Sequence, residues 1–261
     1  VVVAANAIAT PQLLLRSGIG NRHVGQNLML QPQQPIVAIF DHEVTAYLGI
    51  PQAFAVTEFE REDHPDHGLW GFRIEAVMGT PGIVATLLPF VGAENKAVMA
   101  EYPRIAASLL LAPDAPSGSV SLKDDGRPRI EYVQRNDHRT RIREAITAAA
   151  RIYLEAGARE VLVPSVPAVR ITSEADLSQI EDLPFEPAMA ALVSAHQQGT
   201  ARMAGSADDG AVDLDGMLWG TRDVYVFDSS IFPSSASSHT MTPIMTVSRY
   251  LSMALAARMG G

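Results

Sequence analysis

Cysteine is absent from all 261 residues, which removes disulfides, thiolate metal sites and thiol nucleophiles at once and leaves the redox compartment open. Charge is scarce as well. Asp, Glu, Lys and Arg make up 19% of the chain against 47% apolar residues, a balance that excludes a disordered tail. The charge that exists sums to −9, which argues against nucleic acid or an anionic membrane surface as a partner. No apolar run approaches the roughly 20 residues that a bilayer-spanning helix needs. The apolar start at Val1 lacks a basic segment and a full apolar stretch, so it does not read as a signal peptide. Neither an internal repeat nor a low-complexity segment occurs, and the length permits a sizeable core in one or two domains.

What is present is a pair of histidines in distinctive surroundings. His196 opens the words His-Gln-Gln-Gly-Thr-Ala-Arg-Met, and His239 stands in Ser-Ser-His-Thr-Met-Thr at 237–242. A strand-like run at 224–228 lies between them and closes on Asp228, Ser229 and Ser230. Two imidazoles at one site could take a proton from an alcohol and steady the alkoxide that remains, which prepares a carbinol carbon to give up hydride. Other clusters carry less. Asp63-His64-Pro65-Asp66-His67 has proline inside a polar loop and is expected to be a solvated turn, not a metal site. Asp213-Leu-Asp215-Gly216 lacks the first acid of a calcium loop, because Ala211 holds that place. No metal is expected.

Along the chain, Val1–Ala5 is predicted to be a buried parallel strand. Thr10 and Pro11 are predicted to start a helix as N-cap and first residue, with Leu13, Leu14 and Leu15 inward and Gly18 as the stop. Strands are expected at 35–40 and 52–59, and a hairpin at 119–133 around Asp124-Asp-Gly126. Ile142, Ala145, Ile146, Ala149 and Tyr153 recur at helical spacing after Asn136-Asp137 and before Gly157. A short strand at 161–163 follows. A last helix from Thr242-Pro243 carries the stripe Ile244, Val247, Leu251 and Leu255.

Both ends of the chain carry words that resemble the glucose–methanol–choline family of FAD-dependent alcohol oxidoreductases. The family's small residue, Ser/Thr-Pro, Leu pair and Ser-Gly-hydrophobe-Gly is similar to Ala7-Ile-Ala-Thr10-Pro11-Gln-Leu13-Leu14-Leu-Arg-Ser17-Gly18-Ile19-Gly20, with Asn6 where Gly or Ser is usual. The block from His196 to about Leu255 resembles the carboxyl-terminal block, including Gly210-Ala-Val-Asp213 and Phe227-Asp-Ser-Ser230. Val24-Gly25-Gln-Asn27-Leu28 resembles the connection out of the cofactor domain, followed here by Gln31-Pro32 where His-Pro is usual. The family's Gly-x-Gly-x-x-Gly turn, which cradles the dinucleotide pyrophosphate on backbone N–H groups, has no counterpart in this sequence. The chain is therefore expected to be a carboxyl-terminal portion that begins mid-domain.

The resemblance implies an α/β, mixed α+β fold. Residues 1–34 and 192–261 would form part of a Rossmann-like FAD-binding domain, and 35–191 an inserted substrate domain with an antiparallel sheet flanked by helices. It implies FAD as cofactor, an alcohol as substrate, and oxygen or another electron acceptor. His196 matches the general base. His239 matches the second catalytic position, where the family uses His or Asn, both able to donate to the substrate oxygen. Thr242-Pro243-Ile-Met245-Thr246 imitates the family's Asn-Pro-x-x-Thr three residues on, but Thr242 lacks the amide donor. Asp228 and Ser229 match positions near the ribityl and pyrophosphate. Thr240 and Met241 precede a helix whose N-terminus would face the flavin N1–C2 carbonyl. Asn6, Ala7, Thr10 and Pro11 would lie beside the cofactor as packing and backbone. Leu87–Phe90, Lys96–Tyr102 and Ser117–Val120 resemble the long-chain fatty alcohol oxidase branch, although that branch usually carries Asn where His239 stands. The apolar stretch 80–102, with Met78 and Met99, suits either an aliphatic substrate or an ordinary buried helix. Sugar and sterol substrates stay open, as does a non-catalytic portion that pairs with a separate nucleotide-binding chain.

Overall fold

The computed structural model describes residues 1–50, 52–64 and 68–260. The elements in chain order are β1 (Val2–Val3), α1 (Asn6–Arg16), β2 (Gln33–Ile39), β3 (Ala55–Val56), β4 (Glu60–His64), β5 (Gly68–Gly71) and β6 (Arg73–Val77). Next come α2 (Pro81–Leu87), α3 (Gly92–Ala100), β7 (Ile105–Leu111), β8 (Ser119–Leu122), β9 (Pro128–Glu131) and α4 (Asn136–Glu155). The chain closes with β10 (Glu160–Val163), β11 (Val169–Ile171), β12 (Tyr225–Val226) and α5 (Met241–Arg258). It divides into two compact units, one of Val1–Gln31, Asp114–Arg135 and Ser194–Gly261, the other of Pro32–Pro113 and Asn136–Val193.

The second unit is built on a six-stranded antiparallel sheet in the order β11-β10-β2-β7-β6-β3. Side chains alternate between its two faces, as the pleat requires. Ile36, Ala38 and Leu110 pack with Ile142, Ile146 and Ala149 of α4. Val37, Ile39, Ile105 and Leu162 join a separate cluster with Val84, Leu88, Phe90 and Val98. Both faces are thus covered by apolar side chains, which explains why β2 is buried at every position. Helix α4 reads as expected, with Ile142, Ala145, Ile146 and Ala149 inward and Gly157 turning the chain at φ +89°. Its inward stripe also takes in His138 and Arg141, which helical periodicity places there and composition alone would not. The stretch 80–102 forms two short helices, with Met78, Met99 and Tyr102 packed against the cluster that holds Phe90. The strand expected over 52–59 reduces to Ala55–Val56. Residues 65–67 of the turn expected at 63–67 lie outside the described residues, while Asp63 and His64 belong to β4.

The first unit pairs β1 with β12 in parallel, Val2 opposite Tyr225 and Val3 opposite Val226. Val3 is buried, but Val1 and Val2 are 82% and 49% exposed, so the strand is shorter and less covered than its composition suggests. The hairpin β8–β9 belongs to this unit, although the sequence puts it inside the stretch 35–191. Helix α1 packs against β8, where the carbonyl oxygen of Val120 closely approaches residue 25. It would meet a Cβ at residue 25 only 2.1 Å away, and residue 25 has φ +84°, so glycine is required at that point.

Helix α1 starts a turn earlier than Thr10-Pro11 suggests. Asn6 adopts φ +71° and its Oδ1 accepts from the N–H groups of Ile8 and Ala9 at 2.8 and 3.1 Å, which satisfies the first turn. Pro11 then lies inside the helix. The Ala7 carbonyl that residue 11 would ordinarily serve instead accepts from Thr200 Oγ1 at 2.6 Å, so the missing N–H leaves no orphan. Leu14 is buried, Leu15 is partly so, and Leu13 points out at 47% exposure. Helix α5 buries Leu251 and packs Ile244, Val247 and Leu255 beside it, as the stripe predicts. Among the described residues no helix is long and apolar enough to cross a membrane, and no group of three or more His, Asp or Glu could hold a metal.

Candidate active site

His196 and His239 come together in the first unit, with ring centroids 5.1 Å apart and planes at 84°. The segment that follows His196 is held by backbone hydrogen bonds. Gln198 exchanges both of its backbone hydrogen bonds with Met29, at 2.9 and 3.0 Å. Gly199, Ala201 and Met203 donate to the carbonyls of Ser229, Ser230 and Ile231. Gly199 sits at φ +91°, and a Cβ there would meet the Asn27 carbonyl oxygen at 2.4 Å, which is why glycine follows His-Gln-Gln.

His196 is 6% exposed. Burial pushes its imidazolium down to about 4, helped by the repulsion that a charged His239 would exert. The ring is therefore neutral across the physiological range and able to accept a proton. Nδ1 is held by Oε1 of Gln31, and the backbone N–H of His196 donates to Ser194 Oγ at 3.3 Å. His239 rides on a loop anchored just upstream. Ser235 Oγ donates to Asp114 at 2.9 Å, the Ala236 N–H donates to Gln198 Oε1 at 3.1 Å, and the Ala236 carbonyl accepts from Gln31 Nε2 at 2.5 Å.

A second group gathers at the end of β12. Asp228 is 7% exposed, and its Oδ2 accepts from Thr10 Oγ1 at 2.5 Å and from the Asn6 N–H at 3.1 Å. Its other oxygen accepts from the N–H and hydroxyl of Ser230 at 2.8 and 2.5 Å. Ser229 is buried beside it and gives its carbonyl to Gly199. Ala7, Thr10 and Pro11 are buried within α1. Asp228 thereby joins the start of α1 to the strand that precedes the His239 loop.

Thr240 is buried and Met241 is 68% exposed at the N-terminus of α5. No side chain caps that end, and no acid lies in its first turn. Its free N–H groups give the end a partial positive charge immediately after His239 in the chain. Two residues of weight at this site went unassigned from sequence, Gln31 and Asp114. The only hint of the first is the departure at Gln31-Pro32, and a lone acid in a loop gives no hint of the second.

The carboxyl-terminal family model of the GMC oxidoreductases matches residues 113–248, and the amino-terminal one matches residues 1–33. The chain belongs to the GMC oxidoreductase family, whose cofactor is FAD. An uncharacterised GMC-type oxidoreductase of Mycobacterium tuberculosis is 33% identical over 95% of this chain and 38% of its own length. The long-chain-alcohol oxidase FAO3 of Arabidopsis thaliana is 26% identical over 99% of this chain and 36% of its own length. The chain thus spans well under half the length of these two relatives. Among solved structures, pyridoxine 4-oxidase from Mesorbium loti superposes with a TM-score of 0.65 at 18% identity, over 96% of this chain and 50% of that one. This last likeness bears on the fold alone.

The residues present fit one end of FAD and not the other. An uncapped helix N-terminus that follows His239 in the chain, with a buried and neutral His196 paired to that histidine, suits the isoalloxazine ring, which gains negative charge on reduction. No Gly-x-Gly-x-x-Gly turn occurs in the sequence, so the pyrophosphate cradle is not among these residues.

Proposed function

We propose that the protein containing this chain oxidises an alcohol to an aldehyde or ketone with FAD, and that His196 is the general base. The observation that carries this is the pairing of a buried, neutral His196 with His239 at 5.1 Å, the latter just ahead in the chain of an uncapped helix N-terminus. FAD, when bound, supplies a two-electron acceptor at N5. Nε2 of His196 takes the hydroxyl proton as the carbinol hydrogen leaves with its electron pair, so no full alkoxide has to accumulate. His239 donates to the same oxygen and holds the alcohol in line. Asp228, with Asn6, Ala7, Thr10, Pro11 and Ser229, shapes the ribityl side of the cofactor site. Thr240 and Met241 open the helix whose N-terminal N–H groups would stabilise negative charge on the flavin when it is bound. On this account the first unit is the cofactor half and the second unit the substrate domain. The electrons then pass to oxygen or another acceptor.

A long primary alcohol is the proposed substrate. Support comes from the likeness to long-chain-alcohol oxidases and from the apolar stretch 80–102, whose only aromatic residues are Phe90 and Tyr102. Each buried methylene contributes about 0.8 kcal/mol, so kcat/KM should climb with chain length until the pocket is full. Steady-state rates from butanol to dodecanol, with glucose alongside, test this. A flat series, or glucose outpacing dodecanol, would reject the substrate class.

A further inference from the structure

We propose that Gln31 is a positioning residue that fixes the ring tautomer of His196, with the proton on Nδ1 and the lone pair on Nε2, and that Asp114 holds Gln31 in place to do so. The proposal rests on His196 acting as the base.

The orientation of the Gln31 amide follows from its two partners. Nε2 lies 2.5 Å from the Ala236 carbonyl oxygen, an atom that can only accept. That end must be the NH2 group, since the reverse assignment would bring two acceptor oxygens into contact. Oε1 is then the atom at His196 Nδ1, and an amide oxygen can only accept in its turn. Nδ1 must therefore carry the hydrogen, and a neutral imidazole with N–H at Nδ1 has its lone pair at Nε2. The Ala236 end of this relay is itself fixed, because the N–H of Ala236 donates to Gln198 Oε1 while Gln198 Nε2 donates to the His196 carbonyl at 3.1 Å. One residue thus ties the base to the loop that carries His239.

Gln31 is fully buried and adopts φ +45°, a conformation a non-glycine residue holds only when its surroundings impose it. Asp114 does the imposing. Its Oδ1 accepts from the Gln31 N–H and from Ser235 Oγ, both at 2.9 Å. Its Oδ2 accepts from the Leu30 N–H and from the Tyr132 hydroxyl, also at 2.9 Å. Burial pushes this carboxyl up, and the four donors oppose that shift. The carboxylate joins the segment before Gln31, the segment after β9 and the His239 loop at one point. A side chain whose backbone is pinned on one side and whose amide is read on two others has no second orientation to adopt.

The test is the protonation of the His196 ring nitrogens in the FAD-loaded protein, read from 15N chemical shifts after labelling histidine. The His196 signals are assigned by their loss in His196→Ala. Wild type should show hydrogen on Nδ1, and a wild-type ring with hydrogen on Nε2 overturns the proposal without any variant. Gln31→Met keeps the length and removes the acceptor, so hydrogen should move to Nε2 in a substantial fraction, and flavin reduction should slow about ten-fold or more at unchanged FAD content. If Gln31→Met keeps the wild-type ring, Gln31 is not the cause and the proposal is wrong. Gln31→Glu restores the acceptor and should keep Nδ1 protonated even if Gln31→Met does not fold; loss of that hydrogen in Gln31→Glu also overturns it. A shifted tautomer in Gln31→Met with an undiminished rate would support the positioning role and overturn His196 as the base.

Discussion

His196→Ala should slow reduction of bound FAD by a primary alcohol by about 10²–10⁴-fold, the range typical for removal of a general base. FAD content should hold, because the bond that the ring makes at Nδ1 goes to Gln31 of the protein, and the backbone partner Ser194 is unaffected. His239→Asn should cost far less. The amide keeps a donor for the substrate oxygen, and the loop stays anchored through Ser235 and Ala236. Stopped-flow reduction under anaerobic conditions, with flavin content measured on the same samples, separates the two. Equal damage from the two substitutions would mean the roles have been assigned the wrong way round.

Stability should fall in acid, with His138 responsible for a measurable share. This ring is 1% exposed inside α4, and burial pushes it down to about 3, with Arg141 adding repulsion. The Ala112 carbonyl and Asp137 act in the opposite sense and do not win. Folding therefore favours the neutral ring. The stabilisation is complete above the unfolded value of 6.5 and is lost as pH falls toward 3, because the unfolded chain binds the proton that the folded one refuses. At about 1.36 kcal/mol per pH unit, His138 should cost about 3 kcal/mol of stability by pH 4. His138→Gln removes that titration. Relative to wild type the variant should gain about 3 kcal/mol between pH 7 and pH 4, whatever its penalty at neutral pH. Denaturation followed through Trp70, whose ring lies 3.3 Å from the Arg141 guanidinium carbon, reads the unit concerned. A stability difference that does not change with pH would contradict the assignment.

The periodic elements were legible in the sequence. Helix α4 and its stripe, the hairpin β8–β9, strand β10 and helix α5 follow from spacing and turn residues, since one face of each must meet a core. Less legible were the places where a distant partner overrules local preference. Thr10-Pro11 looks like a helix start because proline is at home in a first turn. Asn6 caps the helix earlier, and Thr200, far along the chain, takes up the carbonyl that Pro11 cannot serve. Val1 and Val2 have the composition of a buried strand yet lie exposed. At the site, the two histidines were recognisable from their flanking words. Gln31 and Asp114 were not, because their importance lies in which atoms they face. No local pattern announces a carboxylate that collects donors from residues 30, 31, 132 and 235.

In the protein that contains this chain, the proposed reaction transfers the carbinol hydrogen of an alcohol to FAD. Anaerobic mixing of the FAD-loaded protein with dodecanol, and in parallel with dodecanol deuterated at the carbinol carbon, tests that directly. The flavin absorbance should bleach to the reduced spectrum, more slowly with the deuterated alcohol. A flavin that stays oxidised across the alcohol series, or one that bleaches at the same rate with both isotopologues when reduction itself is observed, would contradict it.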